Sequence, residues 1–319
     1  MRFKEKIMKK PLLLLILLFF TIYFIFINSN ISKEPLSISF YHWENSFNGK
    51  NTNDKLYVKI LDISYSSQIE VIKTTFEKKI DSDFVPVVYI TNDTMKNINY
   101  QKISDIIVNT LKQYNYSELQ IDCDWSLQSK SNYFKLLDDL KIKLNKTLSA
   151  TIRLHQIKYY QKTGIPPVDY GLLMYYNMST ITDINTKNSI LDNEIARKYH
   201  YNFDNYKLKL KLALPLYSQA IQFRDEKALD IFEGVLVSDF NKNFKKISQN
   251  KYEVLTSTYF QGRYIYKGDV FRFEDSNIED LQIALDDFLD LSKNRFNEIV
   301  FYTLKYKNKY NLDKLIKGK

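Results

Sequence analysis

The sequence is poor in the residues that cross-link small folds or bind metal ions. Its only cysteine is Cys123, which excludes an intramolecular disulfide and a structural zinc site built on thiolates. Of its three histidines, His42 and His200 lack a cluster of partner residues, so no metal or other cofactor is predicted. Seven glycines and six prolines in 319 residues leave no room for a flexible linker or a low-complexity repeat. The chain must therefore be stabilised by packing, and its 45% hydrophobic content is enough for one large core.

The folded part of the chain also lacks an excess of positive charge. Lys and Arg outnumber Asp and Glu by 46 to 37, but residues 1–31 and 305–319 carry the whole excess. The remainder holds 35 charges of each sign. A nucleic-acid-binding protein needs positive charge on the surface that meets phosphates, so no nucleic-acid partner is predicted.

The N-terminus has the pattern of a targeting segment. Five basic residues within Met1–Lys10 precede Leu12–Ile27, a run without charge. As a helix the run would be about 24 Å long, slightly short of a 30 Å hydrocarbon core, so a signal peptide and a signal anchor both remain open. The poor cleavage site at 28–31 favours an uncleaved membrane anchor. Residues 1–31 are therefore predicted to place a single domain, residues 32–319, in the periplasm or outside the cell.

Eight short runs rich in β-branched and aromatic residues predict strands, and helical stripes separate several of them. The predicted strands are Leu36–Trp43, Leu56–Ile63, Val85–Thr91, Leu119–Trp125, Leu148–His155, Gly171–Asn177, Leu208–Tyr217 and Glu298–Leu304. Three helical stripes are centred on Ile107, Leu140 and Leu285. Alternation of strands and helices over this length predicts an α/β fold, a (β/α)8 TIM barrel. An open doubly wound sheet is the competing fold, but it usually begins with a glycine-rich turn that this sequence lacks.

The segment between the seventh and eighth predicted strands has a different sequence pattern. Tyr252–Thr258 and Tyr264–Phe273 are joined through Gln261-Gly262-Arg263, which predicts a small β-hairpin insertion at about 252–273. Such an insertion can border an active cleft or can be a stabilising edge piece.

Two carboxylates occur close together on the fourth predicted strand. Asp122 and Asp124 are two residues apart, which places them on one face with Cα atoms about 6.6 Å apart. In TIM barrels the C-terminal ends of the strands carry the chemistry, and mutual repulsion should raise one of the two pKa values. The alternative is structural, in which the aspartates cap a loop or pair with Arg153. Cys123 lies between them and is predicted to face the surrounding helices.

Three motifs on these strands resemble those of one family. Ile121-Asp122-Cys123-Asp124-Trp125 resembles the D-x-D-W core on the fourth strand of family-18 chitinases and their relatives. Leu173–Asn177 resembles the sixth-strand M-x-Y-[DN] motif, and Leu212–Tyr217 resembles the seventh-strand stretch before that family's insertion. Thr151–His155 and Gly164–Asp169 are also similar to an uncharacterised group of exported bacterial barrel proteins. The resemblance implies a chitinase-like barrel and a glycan as its ligand.

The sequence departs from the chitinase pattern at its most important position. Where the family has a catalytic glutamate, this chain has Ser126, and a hydroxyl cannot protonate a glycosidic oxygen usefully at neutral pH. An enzymatic mechanism would then use Asp122 and Asp124, with Glu44 or Asp62 in place of the glutamate. The polar residues predicted to line the substrate pocket are Asp62, Arg153, His155, Tyr175, Asn177 and Tyr217.

The sequence thus predicts a glycoside-hydrolase-like barrel that binds or cleaves a glycan in the cell envelope. Two alternatives remain open: a pseudo-hydrolase that kept the cleft and lost the acid, and an envelope scaffold that presents a protein-interaction surface.

Overall fold

The computed structural model describes residues 35–48, 54–77 and 84–316. The predicted signal anchor or signal peptide, residues 1–31, lies outside these ranges. None of the helices formed by the described residues is both long enough and apolar enough to cross a membrane.

Eight parallel strands close into a barrel, as predicted, because the first strand pairs with both the second and the last. The strands are β1 (Ser37–His42), β2 (Lys55–Tyr65), β3 (Val85–Ile90), β4 (Glu118–Asp122), β5 (Thr147–Arg153), β6 (Tyr170–Met174), β7 (Leu210–Pro215) and β8 (Arg295–Tyr302). An additional strand, Ile69–Lys73, runs antiparallel to β2. Several strands end earlier than predicted, and this determines which side chains face the barrel mouth.

Helices surround the barrel. They are α1 (Asn92–Asn97), α2 (Tyr100–Leu111), α3 (Lys130–Leu144), α4 (Leu154–Lys158), α5 (Tyr160–Thr163), α6 (Asn193–Arg197), α7 (Ile278–Leu291) and α8 (Leu312–Ile316), with 3-10 turns at Phe203–Asn205, Val237–Asp239 and Leu304–Lys309. The three predicted stripes fall on α2, α3 and α7. On α3, Leu140 is buried as predicted, together with Tyr133 and Leu136, whereas Ile142, which also belongs to the predicted stripe, is 82% exposed. Cys123 is buried in the layer between barrel and helices, as predicted.

The interior of the barrel is filled at its N-terminal end by a polar network. The buried Lys211 Nζ donates to the hydroxyls of Tyr57 (2.8 Å) and Tyr170 (2.9 Å) and pairs with Glu298 (2.9 Å). The Tyr170 hydroxyl in turn donates to Glu118. A buried lysine is tolerated here because its charge and donors are matched by acceptors from several strands.

The insertion between β7 and β8 is larger than the predicted hairpin. It is a five-stranded antiparallel sheet in the order Lys227–Glu233, Ser218–Arg224, Val270–Asp275, Lys251–Val254 and Phe244–Lys246, with a hairpin of Thr258–Phe260 and Arg263–Ile265. Its first strand begins at Ser218, directly after Tyr217. Phenylalanines, including Phe232, Phe260 and Phe271, form the apolar core of this sheet.

Candidate functional site

Asp122 lies at the C-terminal end of β4 and is buried, with 4% of its surface exposed. Its carboxylate accepts a hydrogen bond from the Thr151 hydroxyl on the neighbouring strand (2.6 Å). Burial, and then the charge of Asp124, raise the pKa of Asp122 to about 6, against the opposing effect of Arg153. The prediction that one of the two aspartates has a raised pKa is therefore confirmed, with desolvation as the larger cause.

Asp124 lies beyond the end of β4. Contrary to the prediction, the two aspartates therefore do not share one face of a strand. Its half-exposed side chain forms a bidentate ion pair with Arg153, from Nε to Oδ1 (2.6 Å) and from Nη2 to Oδ2 (2.9 Å). A fork-shaped pair of this kind fixes both side chains. The pairing with Arg153 that the sequence left open as an alternative is thus present for Asp124.

Ser126 occupies the position of the family's glutamate. Its backbone N–H donates to Ser129 Oγ (2.9 Å) and Asn92 Oδ1 (3.2 Å), and Ser129 Oγ donates to Asn92 as well (2.6 Å). These polar partners hold the start of the chain segment that leads into α3. Among the described residues, no carboxylate forms a hydrogen bond with Ser126.

A pocket of about 430 Å³ opens beside Asp124 at the C-terminal end of β5 and β6. We call it the mouth pocket. Its lining residues are Asp124, Arg153, Leu154, His155, Met174, Tyr176, Asn177, Met178 and Tyr199. Its size and its mixture of aromatic, charged and amide side chains are those of a small-ligand site.

Asn177, a lining residue of this pocket, is joined to Tyr217 by a hydrogen bond. The Tyr217 hydroxyl donates to Asn177 Oδ1 (2.8 Å), and no described residue accepts a hydrogen bond from the amide nitrogen of Asn177. Asn177 has a left-handed backbone (φ 57°), a conformation that asparagine tolerates better than most residues. Asn177 is therefore a lining residue of the pocket, whereas Tyr217 is not and is connected to it through Asn177.

Tyr175 does not face the pocket, contrary to the prediction. It is fully buried on the outer side of the barrel, and its hydroxyl lies 2.8 Å from His200 Nε2. Residues alternate between the two faces, and Leu172 and Met174 point into the barrel, so the inward position passes to Tyr176. Tyr176 stacks on Tyr302 (5.6 Å between ring centroids) inside the mouth.

His155 lines the pocket, but from a different element than predicted. β5 ends at Arg153, and His155 lies in the first turn of α4, so the two residues do not share a strand face. Burial lowers the pKa of His155, with Asp124 and Arg153 acting in opposite directions. Its imidazole is therefore neutral at physiological pH and can both donate and accept hydrogen bonds.

The two proposed replacements for the glutamate are both engaged by lysines. Asp62 on β2 pairs with the buried Lys59 (2.8 Å), whose ammonium also bonds Asn45 (2.8 Å). Glu44, half exposed after β1, pairs with Lys305 (3.1 Å). Neither is a lining residue of the mouth pocket.

The sequence interpretation missed Tyr176, Met178 and Tyr199 as lining residues. Tyr176 could have been found from the alternation of Leu172 and Met174. Met178 and Tyr199 lie in the irregular segment between β6 and β7, where no periodic signal marks orientation.

Comparisons with known proteins are informative at the level of solved structures. No protein-family model matches the chain, and no curated protein does. The spore cortex-lytic enzyme SleL of Bacillus cereus is similar, with a TM-score of 0.52, 11% identity, and coverage of 86% of this chain and 72% of that one. A chitinase from Chromobacterium violaceum has a TM-score of 0.53 and 9% identity, covering 85% of this chain and 95% of that one.

At this level of identity, the likeness concerns the fold. The chain shares with these two structures the fold of a closed eight-stranded parallel barrel, as the sequence predicted.

Proposed function

We propose that this protein binds a glycan in the mouth pocket and does not cleave it by the acid-dependent route of chitinases. The observation that carries the proposal is the state of the fourth-strand motif. Asp122 is buried, Asp124 is paired with Arg153, and Ser126 replaces the acid. Retaining and inverting glycosidases alike need a proton donor at the leaving oxygen, and a serine cannot supply one.

The structural neighbours support the choice of ligand. These neighbours are a chitinase and a spore cortex-lytic enzyme, and the barrel mouth is the region where TIM barrels bind ligands. The pocket offers an amide nitrogen, a neutral imidazole and tyrosine rings, which suit the hydroxyls and C–H faces of a sugar.

Replacing Asn177 with glycine is expected to weaken glycan binding about three- to tenfold, because one hydrogen-bonding side chain is lost from the pocket. Glycine also tolerates the left-handed backbone, so the fold should be retained. Asn145→Gly is the matched control, since Asn145 is also left-handed but lies at the C-terminal cap of α3, outside the pocket. Affinity would be measured by calorimetry against β-linked amino-sugar and neutral oligosaccharides.

Hydrolysis of the same oligosaccharides, measured in the same samples, distinguishes a binding protein from an enzyme. We expect no hydrolysis by the wild type, and Asp122→Asn/Asp124→Asn should keep much of the affinity. Hydrolysis by the wild type that this double variant abolishes would contradict the proposal. Equal weakening by Asn145→Gly and Asn177→Gly would show that the pocket is not the binding site.

We further propose that the barrel acts outside the cytoplasm, attached to the membrane by its N-terminal segment. The support is the basic leader of residues 1–10 followed by the uncharged run Leu12–Ile27. A reporter that is active only after export, fused behind Lys319, is expected to be active. Activity of a cytoplasmic reporter at the same position would refute the orientation, and a mature protein starting near Ile31 would refute the anchor.

A further inference from the structure

Three tyrosines lie around one lysine beside the mouth pocket. Lys158 is the last residue of α4. Its Nζ lies over the rings of Tyr159 (5.3 Å from the ring centroid), Tyr199 (5.2 Å) and Tyr201 (5.0 Å). We call these three tyrosines the tyrosine cluster. Tyr199 is also a lining residue of the mouth pocket, so the cluster continues the wall of the pocket outward.

The two outer tyrosines of the cluster expose much of their surface to solvent. Tyr159 is 48% exposed and Tyr201 is 59% exposed. A single exposed aromatic side chain needs no explanation, but these two flank the same ammonium group and adjoin a pocket. Together they form one aromatic surface at the edge of the candidate site.

Two hydrogen bonds hold the cluster in place. Lys158 Nζ donates to the backbone oxygen of Lys198 (2.7 Å), and Asn202 Nδ2 donates to the backbone oxygen of Lys158 (2.7 Å). These bonds tie the segment that carries Tyr199 and Tyr201 to the end of α4. Cation–π attraction to the shared ammonium adds to this restraint. The rings are therefore largely ordered before any ligand arrives, which lowers the entropic cost of binding.

A second group of exposed tyrosines lies elsewhere in the fold. Tyr259 and Tyr264 are cross-strand neighbours on the hairpin of the inserted sheet, and Tyr264 packs edge to face against Tyr266. Tyr259 is 72% exposed, more than either outer tyrosine of the cluster. None of these three side chains lines the mouth pocket. What distinguishes the tyrosine cluster is thus its continuity with the pocket, since exposure alone is shared by both groups.

We propose that the tyrosine cluster binds the part of a glycan chain that extends out of the mouth pocket, so that the protein recognises an oligosaccharide longer than the pocket itself. The inference rests on the proposed function of the mouth pocket. A sugar ring has C–H faces that pack on an aromatic face, and hydroxyls at its edge that can bond to a tyrosine hydroxyl. Tyrosine provides both kinds of contact at a low cost in side-chain entropy.

The test compares a disaccharide and a hexasaccharide of β-linked N-acetylglucosamine in calorimetry with the full chain. The wild type is expected to bind the hexasaccharide about tenfold more tightly or better. Tyr201→Ala should weaken hexasaccharide binding about three- to tenfold and leave disaccharide binding unchanged, because only the longer chain reaches the cluster. Tyr201→Phe keeps the ring and should bind nearly as the wild type does.

Tyr259→Ala is the matched control, because it removes an exposed tyrosine far from the pocket lining and should leave both affinities unchanged. Tyr201→Ala should melt close to the wild type, since most of the side chain is exposed, so lost binding cannot be attributed to unfolding.

Three results would overturn the proposal. They are equal affinity of the wild type for the two oligosaccharides, a Tyr201→Ala protein that binds the hexasaccharide as Tyr259→Ala does, and a wild-type dimer that Tyr201→Ala converts to a monomer. The last would make the cluster an interface between copies of this chain. Any of these results, together with disaccharide binding that Asn177→Gly weakens, would count against the tyrosine cluster alone. Failure of both oligosaccharides to bind would count against the mouth pocket as well.

Discussion

An Asp122→Asn protein is expected to be more stable than the wild type near neutral pH, by about 3 kcal/mol. The pKa of Asp122 is about 6 in the folded protein, against an ordinary value of 3.8. Between these values the folded state binds a proton that the unfolded state has released. The stability of the wild type therefore falls as the pH rises through this window, whereas asparagine stays neutral throughout.

Urea denaturation of both proteins from about pH 4 to pH 7 would measure this difference. The two curves should converge near pH 4, where the carboxyl is protonated in the folded state. The amide oxygen can still accept from Thr151, so the substitution removes charge without removing that bond. A variant that is instead less stable by several kcal/mol at neutral pH would identify Asp122 as a structural partner and count against the mouth pocket as a functional site.

Replacing Arg272 with methionine is expected to cost about 3–5 kcal/mol, because it leaves Glu274 buried without its cation. Both side chains of this pair are fully buried, with Arg272 Nε 2.7 Å from Glu274 Oε1. Arg272 also donates to the backbone oxygens of Ile181 (2.9 Å) and Asp183, which ties the segment after β6 to the inserted sheet.

Two further variants make the Arg272 result specific. Arg272→Met/Glu274→Gln should recover part of the loss, since a neutral amide can still accept from Ser189 and Gln219. Arg263→Met is the control on the same insertion, where an exposed ion pair with Asp230 should be worth less than about 1 kcal/mol. A thermal unfolding midpoint for Arg272→Met equal to that of Arg263→Met would rule out this role of the buried pair.

The sequence was sufficient to predict the barrel because its strands are short apolar runs with turn residues between them. Three of the residues that the sequence placed at or near the C-terminal ends of predicted strands, Asp124, Arg153 and Asn177, are lining residues of the mouth pocket. The prediction of which side chains face the mouth failed near the C-terminal ends of the strands. Tyr175 was assigned inward although the alternation of Leu172 and Met174 gives the inward position to Tyr176, and an error of one residue reverses the face of every side chain on a strand.

The insertion was underestimated for a different reason. Its strand Ser218–Arg224 begins with no turn residue after Tyr217, so the sequence reads as a continuation of the seventh barrel strand. The contacts of Arg272 with the backbone oxygens of Ile181 and Asp183 could not be predicted either, because they join segments that are far apart in the sequence. Such long-range pairings leave no local pattern in the chain.

The polar network around Lys211 has a consequence for how a polymer could meet this protein. Tyr57, Tyr170, Glu118 and Glu298 fill the barrel beneath the mouth, so the barrel interior is closed at its N-terminal end. A long glycan bound as we propose could not thread through the barrel and would lie across its rim, touching the protein with an internal stretch or a single terminus.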